Sequence, residues 1–136
     1  RRRARMLASA RRFFDERGVL EVDTPALSPA AVSDPHIDSI RARLDLRPGV
    51  DYYLRTSPEL AMKRLLCAGY PDIYEIARVF RDGEAGPRHQ PEFTLIEWYR
   101  ARFSLDDIMR ETVEFVSALV EEACLHRPPV KRPRTR

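Results

Sequence analysis

Cysteine is scarce: Cys67 and Cys124 are the only two in 136 residues. They lie far apart and no Cys-x-x-Cys pair occurs, which excludes a disulfide framework and a cysteine-based zinc site. Both are expected to be packed thiols in a reducing compartment. Long apolar runs are also missing, so no segment reads as a membrane span. No apolar stretch follows the first arginines, so a signal peptide is absent from the pattern. The chain starts on Arg1 rather than methionine, and a cytoplasmic protein, or a piece of a longer one, is the expectation. His36 has no second histidine at metal-ligand spacing and reads as a loop residue. No Ser-His or Cys-His constellation suggests a covalent nucleophile. With 43% hydrophobic and 33% charged residues, the composition is that of a folded domain rather than a disordered chain.

The net charge of +3 and a pI near 9.1 hint at an acidic partner such as nucleic acid. The location of the charge removes the hint. Residues 1–12 hold six arginines and no acid, and residues 127–136 hold five basic residues and no acid. The stretch 13–126 therefore keeps 13 of the 24 basic residues against all 21 acids, a net of −8. No aromatic residue is interleaved with the terminal arginines, so they read as weak electrostatic ends.

Periodicity places the elements. Met6, Leu7, Ala10, Phe13 and Phe14 make one face of a helix over about 3–17, stopped by Gly18. Val19–Val22 reads as a short strand ended by Pro25. Residues 26–50 carry Pro29, Pro35 and Pro48 and read as loop with one short strand near 37–46. Thr56 and Glu59 fit a capping box opening a helix over 60–68. Residues 73–81 and 92–100 read as strands joined by the long tip DGEAGPRHQP, longer than simple hairpins use. Ser104 opens the last helix, whose apolar stripe is Leu105, Ile108, Met109, Thr112, Val113, Val116, Leu119, Val120 and Ala123. Pro128-Pro129 stops it, and the basic tail 127–136 is expected to be disordered.

Chemistry concentrates on the second hairpin strand. Alternation sends Phe93, Leu95, Glu97 and Tyr99 to one face and Thr94, Ile96, Trp98 and Arg100 to the other. Both rows are apolar, which suggests a central strand and a Glu97 carboxylate among apolar neighbours. Either Glu97 has a protein cation such as Arg78, or it awaits a cationic ligand. Around the tip, Arg81, Arg88 and His89 supply cations suited to a polyphosphate, and Phe93 offers a plane for a purine.

These residues resemble a known family. RGVLEVDTPALS (17–28), with the helix before it, is similar to motif 1 of class II aminoacyl-tRNA synthetases (about 5–28). YEIARVFRDGEAGPRHQPEFTLIEWYR (74–100) is similar to motif 2. LRTSPELAMKRLL, PEFT and EWY point to the lysine branch. Within it, TSPE, DPH and EWYR resemble the synthetase-like ligases that attach β-lysine to a lysine of translation elongation factor P. The match covers roughly 5–125, and the implied fold is α+β: part of a class II catalytic domain over 1–126, an antiparallel sheet flanked by helices.

The resemblance implies activation of lysine or β-lysine by ATP as an aminoacyl-adenylate, followed by transfer to elongation factor P. Lysyl-tRNA synthetase, with tRNA as acceptor, is the nearest alternative; a non-catalytic dimerisation or regulatory module is a third. It further implies that Arg81 contacts the ATP α-phosphate as the catalytic cation, with Asp82, Gly83 and Glu84 shaping the loop. His89 and Gln90 would face the triphosphate or adenine, and Phe93 would stack on adenine. Ser57, Pro58 and Glu59 would line the amino-acid site, Glu59 near the α-amino group, with Glu97 and Tyr99 completing it. Two positions depart from the family pattern: Gly83 stands where glutamate is usual, with Glu84 one place later, and Gln90 stands where asparagine is common. Motif 3 is not within the chain. The magnesium carboxylates are expected mostly outside it, no metal site is expected within it, and a homodimer through the motif 1 helix is implied.

Overall fold

The computed structural model describes residues 1–125, so the expected 127–136 tail lies outside the described residues. The elements in chain order are α1 (Arg2–Asp15), β1 (Leu20–Glu21), β2 (Leu27–Ser28), β3 (Arg41–Arg43), β4 (Asp51–Leu54), α2 (Glu59–Cys67), β5 (Ile73–Phe80), β6 (Glu92–Tyr99) and α3 (Leu105–Leu125). They form two compact units: Arg1–Gly18 with the described chain from Arg102 onward, and Val19–Ala101.

In the first unit α1 buries Ala10, Phe13 and Phe14, much as its periodicity dictates. Phe115 of α3 meets both rings, with centroids 5.2 Å from Phe13 and 5.1 Å from Phe14. Gly18 ends the helical run at φ +65°, a left-handed conformation open to glycine, and its N–H donates to the Asp15 carbonyl. Arg17 lies over the Phe13 ring at 3.6 Å and pairs with Glu114 at 3.2 Å. The rotation of α3 differs from the expected one. Its buried residues are Glu111 and Phe115, while Leu105, Met109, Val113, Val116 and Val120 are each more than half exposed. Burying one phenylalanine against two rings removes more apolar surface per residue than burying a valine and adds ring–ring contacts.

The second unit holds two three-stranded sheets. In the first, β5 lies between β1, which is parallel to it, and β6, which is antiparallel. The second has the order β2-β4-β3 with antiparallel pairs. Segment 26–50 is thus more ordered than its prolines suggest: Leu27–Ser28 and Arg41–Arg43 both dock on the DYYL strand of β4. Four residues show too little alternation to announce a strand, and pairing from both sides stabilises it.

Three further expectations are corrected. The doubly covered strand is β5, where Ile73, Tyr74, Glu75, Ala77 and Val79 are buried. β6 is an edge strand among the described residues and Glu97 is only half-buried. The capping box does not form: Thr56 is buried, Pro58 is the N-cap, and Ser57 Oγ accepts from the Glu59 N–H at 3.0 Å. Glu59 instead reaches forward one turn to Lys63. Cys67 and Cys124 are both exposed, each near the C-terminal end of its helix and outside the core rows.

Candidate functional site

The antiparallel register sets Glu75 directly opposite Glu97 and Val79 opposite Phe93, so each pair shares a sheet face. Glu97 reaches two neutral hydroxyls. Ser57 Oγ donates to its Oε2 at 3.0 Å, and Tyr99 Oη donates to its Oε1 at 2.7 Å. Among the described residues no lysine or arginine forms an ion pair with Glu97; Arg78, the partner considered from sequence, pairs with Glu92 instead at 3.4 Å. The reason is alternation: Arg78 and Glu97 sit at positions of opposite parity across the ladder, and Arg78 faces Thr94. Burial, followed by the hydrogen bond to Glu97 and the charges of Glu97 and Glu59, raises the Tyr99 phenol well above its ordinary value. Tyr99 therefore stays a neutral donor. The hydrogen bond and charge of Glu59, with a smaller contribution from Glu97, raise the Lys63 ammonium.

Arg81 anchors the neighbouring cluster. Its Nε donates to the Thr56 carbonyl at 3.4 Å and its Nη1 to Glu84 at 3.4 Å, and its guanidinium lies 5.1 Å from the Phe93 ring centroid. The loop that follows is built rather than loose. Arg81 N donates to the Pro91 carbonyl, Asp82 N donates to the Asp38 carbonyl, and Asp82 Oδ1 accepts from the N–H of Gly83. Gly83 takes φ +72°, which favours glycine at the position where the family pattern has glutamate. Gly86 and His89 exchange backbone hydrogen bonds at the tip. His89 and Gln90 are exposed.

Ser57, Glu59, Glu97 and Tyr99 are therefore gathered together, as are Arg81, Glu84 and Phe93. The consecutive residues Thr56 and Ser57 link the two groups through Arg81 and Glu97. Pro58 is fully buried at the start of α2. His89 and Gln90 are not drawn into either group. A cavity of about 530 Å³ is lined by Leu27, Pro29, Leu54, Ser57, Pro58 and Glu59 among other residues, so three of the expected amino-acid-site residues are in its walls, while Arg81, Phe93 and Glu97 are not.

Sequence reasoning missed the most buried polar group in this region. Arg55 Nη1 lies 2.6 Å from Glu75 Oε1, with the side chains 9% and 3% exposed. This contact falls outside hydrogen-bond alignment, leaving Oε1 without a conventional donor, so charge holds it. Thr24 Oγ1 donates to Glu75 Oε2 at 2.7 Å, and Arg55 also donates to the Thr24 carbonyl and hydroxyl and to the Arg78 carbonyl. The signal was present: Glu75 is the one acid on the apolar row Ile73, Glu75, Ala77 and Val79.

No helix of the described residues is long and apolar enough to cross a membrane, and they hold no cluster of three or more His, Cys, Asp or Glu that could bind a metal.

A family model described as tRNA synthetases class II (D, K and N) matches residues 1–134. A protein named elongation factor P--(R)-beta-lysine ligase from Erwinia tasmaniensis is 45% identical over 123 residues, covering 88% of this chain and 38% of the relative. The protein of the same name from Yersinia enterocolitica is 43% identical with the same coverage. The chain thus spans well under half the length of these relatives. Among solved structures, asparaginyl-tRNA synthetase from Pyrococcus horikoshii, complexed with asparaginyl-adenylate, matches with a TM-score of 0.79 at 24% identity, covering 92% of this chain and 28% of that one. That likeness establishes the fold, a class II synthetase catalytic domain in part, and the family match over residues 1–134 places the chain among the class II tRNA synthetases.

Proposed function

We propose that the chain is the motif 1 and motif 2 portion of a ligase that activates lysine or β-lysine with ATP and transfers it to a lysine of elongation factor P. The observation that carries the reading is the Ser57–Glu97–Tyr99 cluster. The half-buried Glu97 carboxylate is held by two neutral hydroxyls and by no protein cation among the described residues, which leaves it open to pair with an incoming ammonium. Glu59, the first residue of α2, suits a second amine once Lys63 is displaced, and Pro58 fixes the turn between Ser57 and Glu59. The relatives' names and 43–45% identity support the protein acceptor over tRNA. The net charge of −8 over 13–126 supports it too, because an acidic body repels a phosphate backbone.

In this reading the amino-acid carboxylate oxygen attacks the α-phosphorus of ATP. The bond to the bridging oxygen breaks, and pyrophosphate leaves with the electron pair. Arg81 stabilises the charge that develops on the α-phosphoryl oxygens, exchanging its Glu84 contact for phosphate. Phe93 offers its plane to adenine, Asp82, Gly83 and Glu84 hold the loop's shape, and His89 and Gln90 face the triphosphate or adenine from the tip. An amine of the acceptor then attacks the adenylate carbonyl, AMP departs, and the amine's proton is lost to solvent. Binding and orientation supply the catalysis, with no enzyme nucleophile. Magnesium bound with ATP, held mostly by carboxylates outside these residues, would supply further neutralisation of phosphate charge. A cytoplasmic homodimer joined through the motif 1 helix belongs to the same proposal.

The test is lysine- or β-lysine-dependent ATP–pyrophosphate exchange by the full-length gene product. Glu97→Gln removes a charge-assisted bond to the substrate amine, about 1.5–3 kcal/mol, and should lower kcat/KM for the amino acid roughly 10- to 100-fold. Unchanged exchange in that variant would remove Glu97 from the site and the proposal with it.

A further inference from the structure

Two carboxylates, Glu75 and Glu97, are cross-strand partners on one face of the β5–β6 ladder, and Arg55 pairs with the first of them. The guanidinium of Arg55 belongs entirely to the buried side. It pairs with Glu75, and its remaining donors go to the Thr24 carbonyl, the Thr24 hydroxyl and the Arg78 carbonyl. Backbone bonds fix the arginine from both sides: its N–H donates to the Ala26 carbonyl, and its carbonyl accepts from Phe80 N. Two residues further on, Ser57 donates to Glu97. An arginine stays charged at any pH the fold survives. Because Glu97 is the cross-strand partner of Glu75 on the same face, a guanidinium released from Glu75 would meet Glu97, the group the proposed function reserves for a substrate amine, as the next carboxylate on that face.

We infer that Glu75 is a positioning residue that sequesters the Arg55 guanidinium, so that the negative charge of Glu97 stays available to a cationic amine. The inference rests on the function proposed above. It explains why a costly buried ion pair stands beside the cluster: burying two charges gains little net stability over an apolar pair, whereas sequestration keeps a strong competitor off the site. Lys63 of α2, which feels the Glu97 charge, is held by Glu59, and the neutral donors to Glu97 are Ser57 and Tyr99.

The experiment is a carbon-13 NMR pH titration of the Glu97 carboxyl in the full-length gene product, with no ligand. In Glu75→Gln the freed arginine should draw the Glu97 midpoint down by about one pH unit or more, and Glu75→Gln with Arg55→Met should restore it. A midpoint that stays put in Glu75→Gln, or one that the double variant fails to restore, overturns the inference. Should Glu75→Gln not fold, the milder Glu97→Gln decides. The Arg55 Nε–H resonance should stay in place in that variant, whereas a clear displacement shows that the arginine is shared between the two carboxylates and refutes the inference. Neither readout needs a ligand, so a protein that fails to activate lysine defeats the proposed function without deciding this pair, and the reverse also holds.

Discussion

Replacing Arg55 by alanine should be among the most damaging single changes in the β-sheet unit, and the size of the effect follows from its surroundings. The side chain is 9% exposed, its carboxylate partner 3%, and it also donates to two backbone carbonyls and a hydroxyl. Truncation leaves Glu75 as a buried charge with only Thr24 to satisfy it and strands the carbonyls of Thr24 and Arg78. Breaking a buried pair this way costs about 3–5 kcal/mol. With a urea dependence of about 2 kcal/mol/M, that is a midpoint lower by roughly 1.5–2.5 M, or the loss of a folded baseline. Arg78→Ala provides the internal control: its pair with Glu92 is more than half exposed on both sides, and such pairs contribute about 0–1 kcal/mol. Trp98, the one tryptophan, lies on β6 beside the network and reports unfolding by fluorescence. If Arg55→Ala lost no more than about 1 kcal/mol beyond the loss in Arg78→Ala, the buried-pair reasoning would be wrong.

Phe115→Ala should cost the helix pair about 3–5 kcal/mol, whereas Val113→Ala, two-thirds exposed, should change the circular dichroism melt by less than about 0.5 kcal/mol; comparable losses would mean that the rotation assigned to α3 is incorrect. The raised Tyr99 phenol contributes stability fully present below the ordinary tyrosine value of 10.0 and lost as pH rises through its higher folded value. Alkaline unfolding should therefore be less steep in Tyr99→Phe above pH 10.0, and an unaltered slope excludes Tyr99 as its source. Arg81→Ala should abolish ATP–pyrophosphate exchange by the full-length gene product while the purified protein stays folded, since the side chain is partly exposed and makes only long hydrogen bonds.

Much of the candidate site's geometry was legible because motif residues are close in sequence to the turns and strands that place them. The hairpin, the TSPE loop and the alternation of Glu97 with Tyr99 depend on local pattern, and the structure joins them as expected. What escaped depends on which element covers which. A strand's two-faced apolar pattern does not say whether it or its neighbour is central, so the buried carboxylate was sought on β6 and stands on β5. Periodicity likewise marks an apolar stripe on α3 without saying which side meets α1, and Phe115 outweighed the valine row. The short strands β2, β3 and β4 are defined by mutual pairing across a proline-rich stretch, which no short window of sequence displays.

The central claim is the identity of the acceptor and of the activated amino acid. The full-length gene product, given ATP and radiolabelled β-lysine, should transfer label to purified elongation factor P and lose that transfer with Glu97→Gln. Efficient labelling of lysine tRNA with none on the protein acceptor would contradict the account.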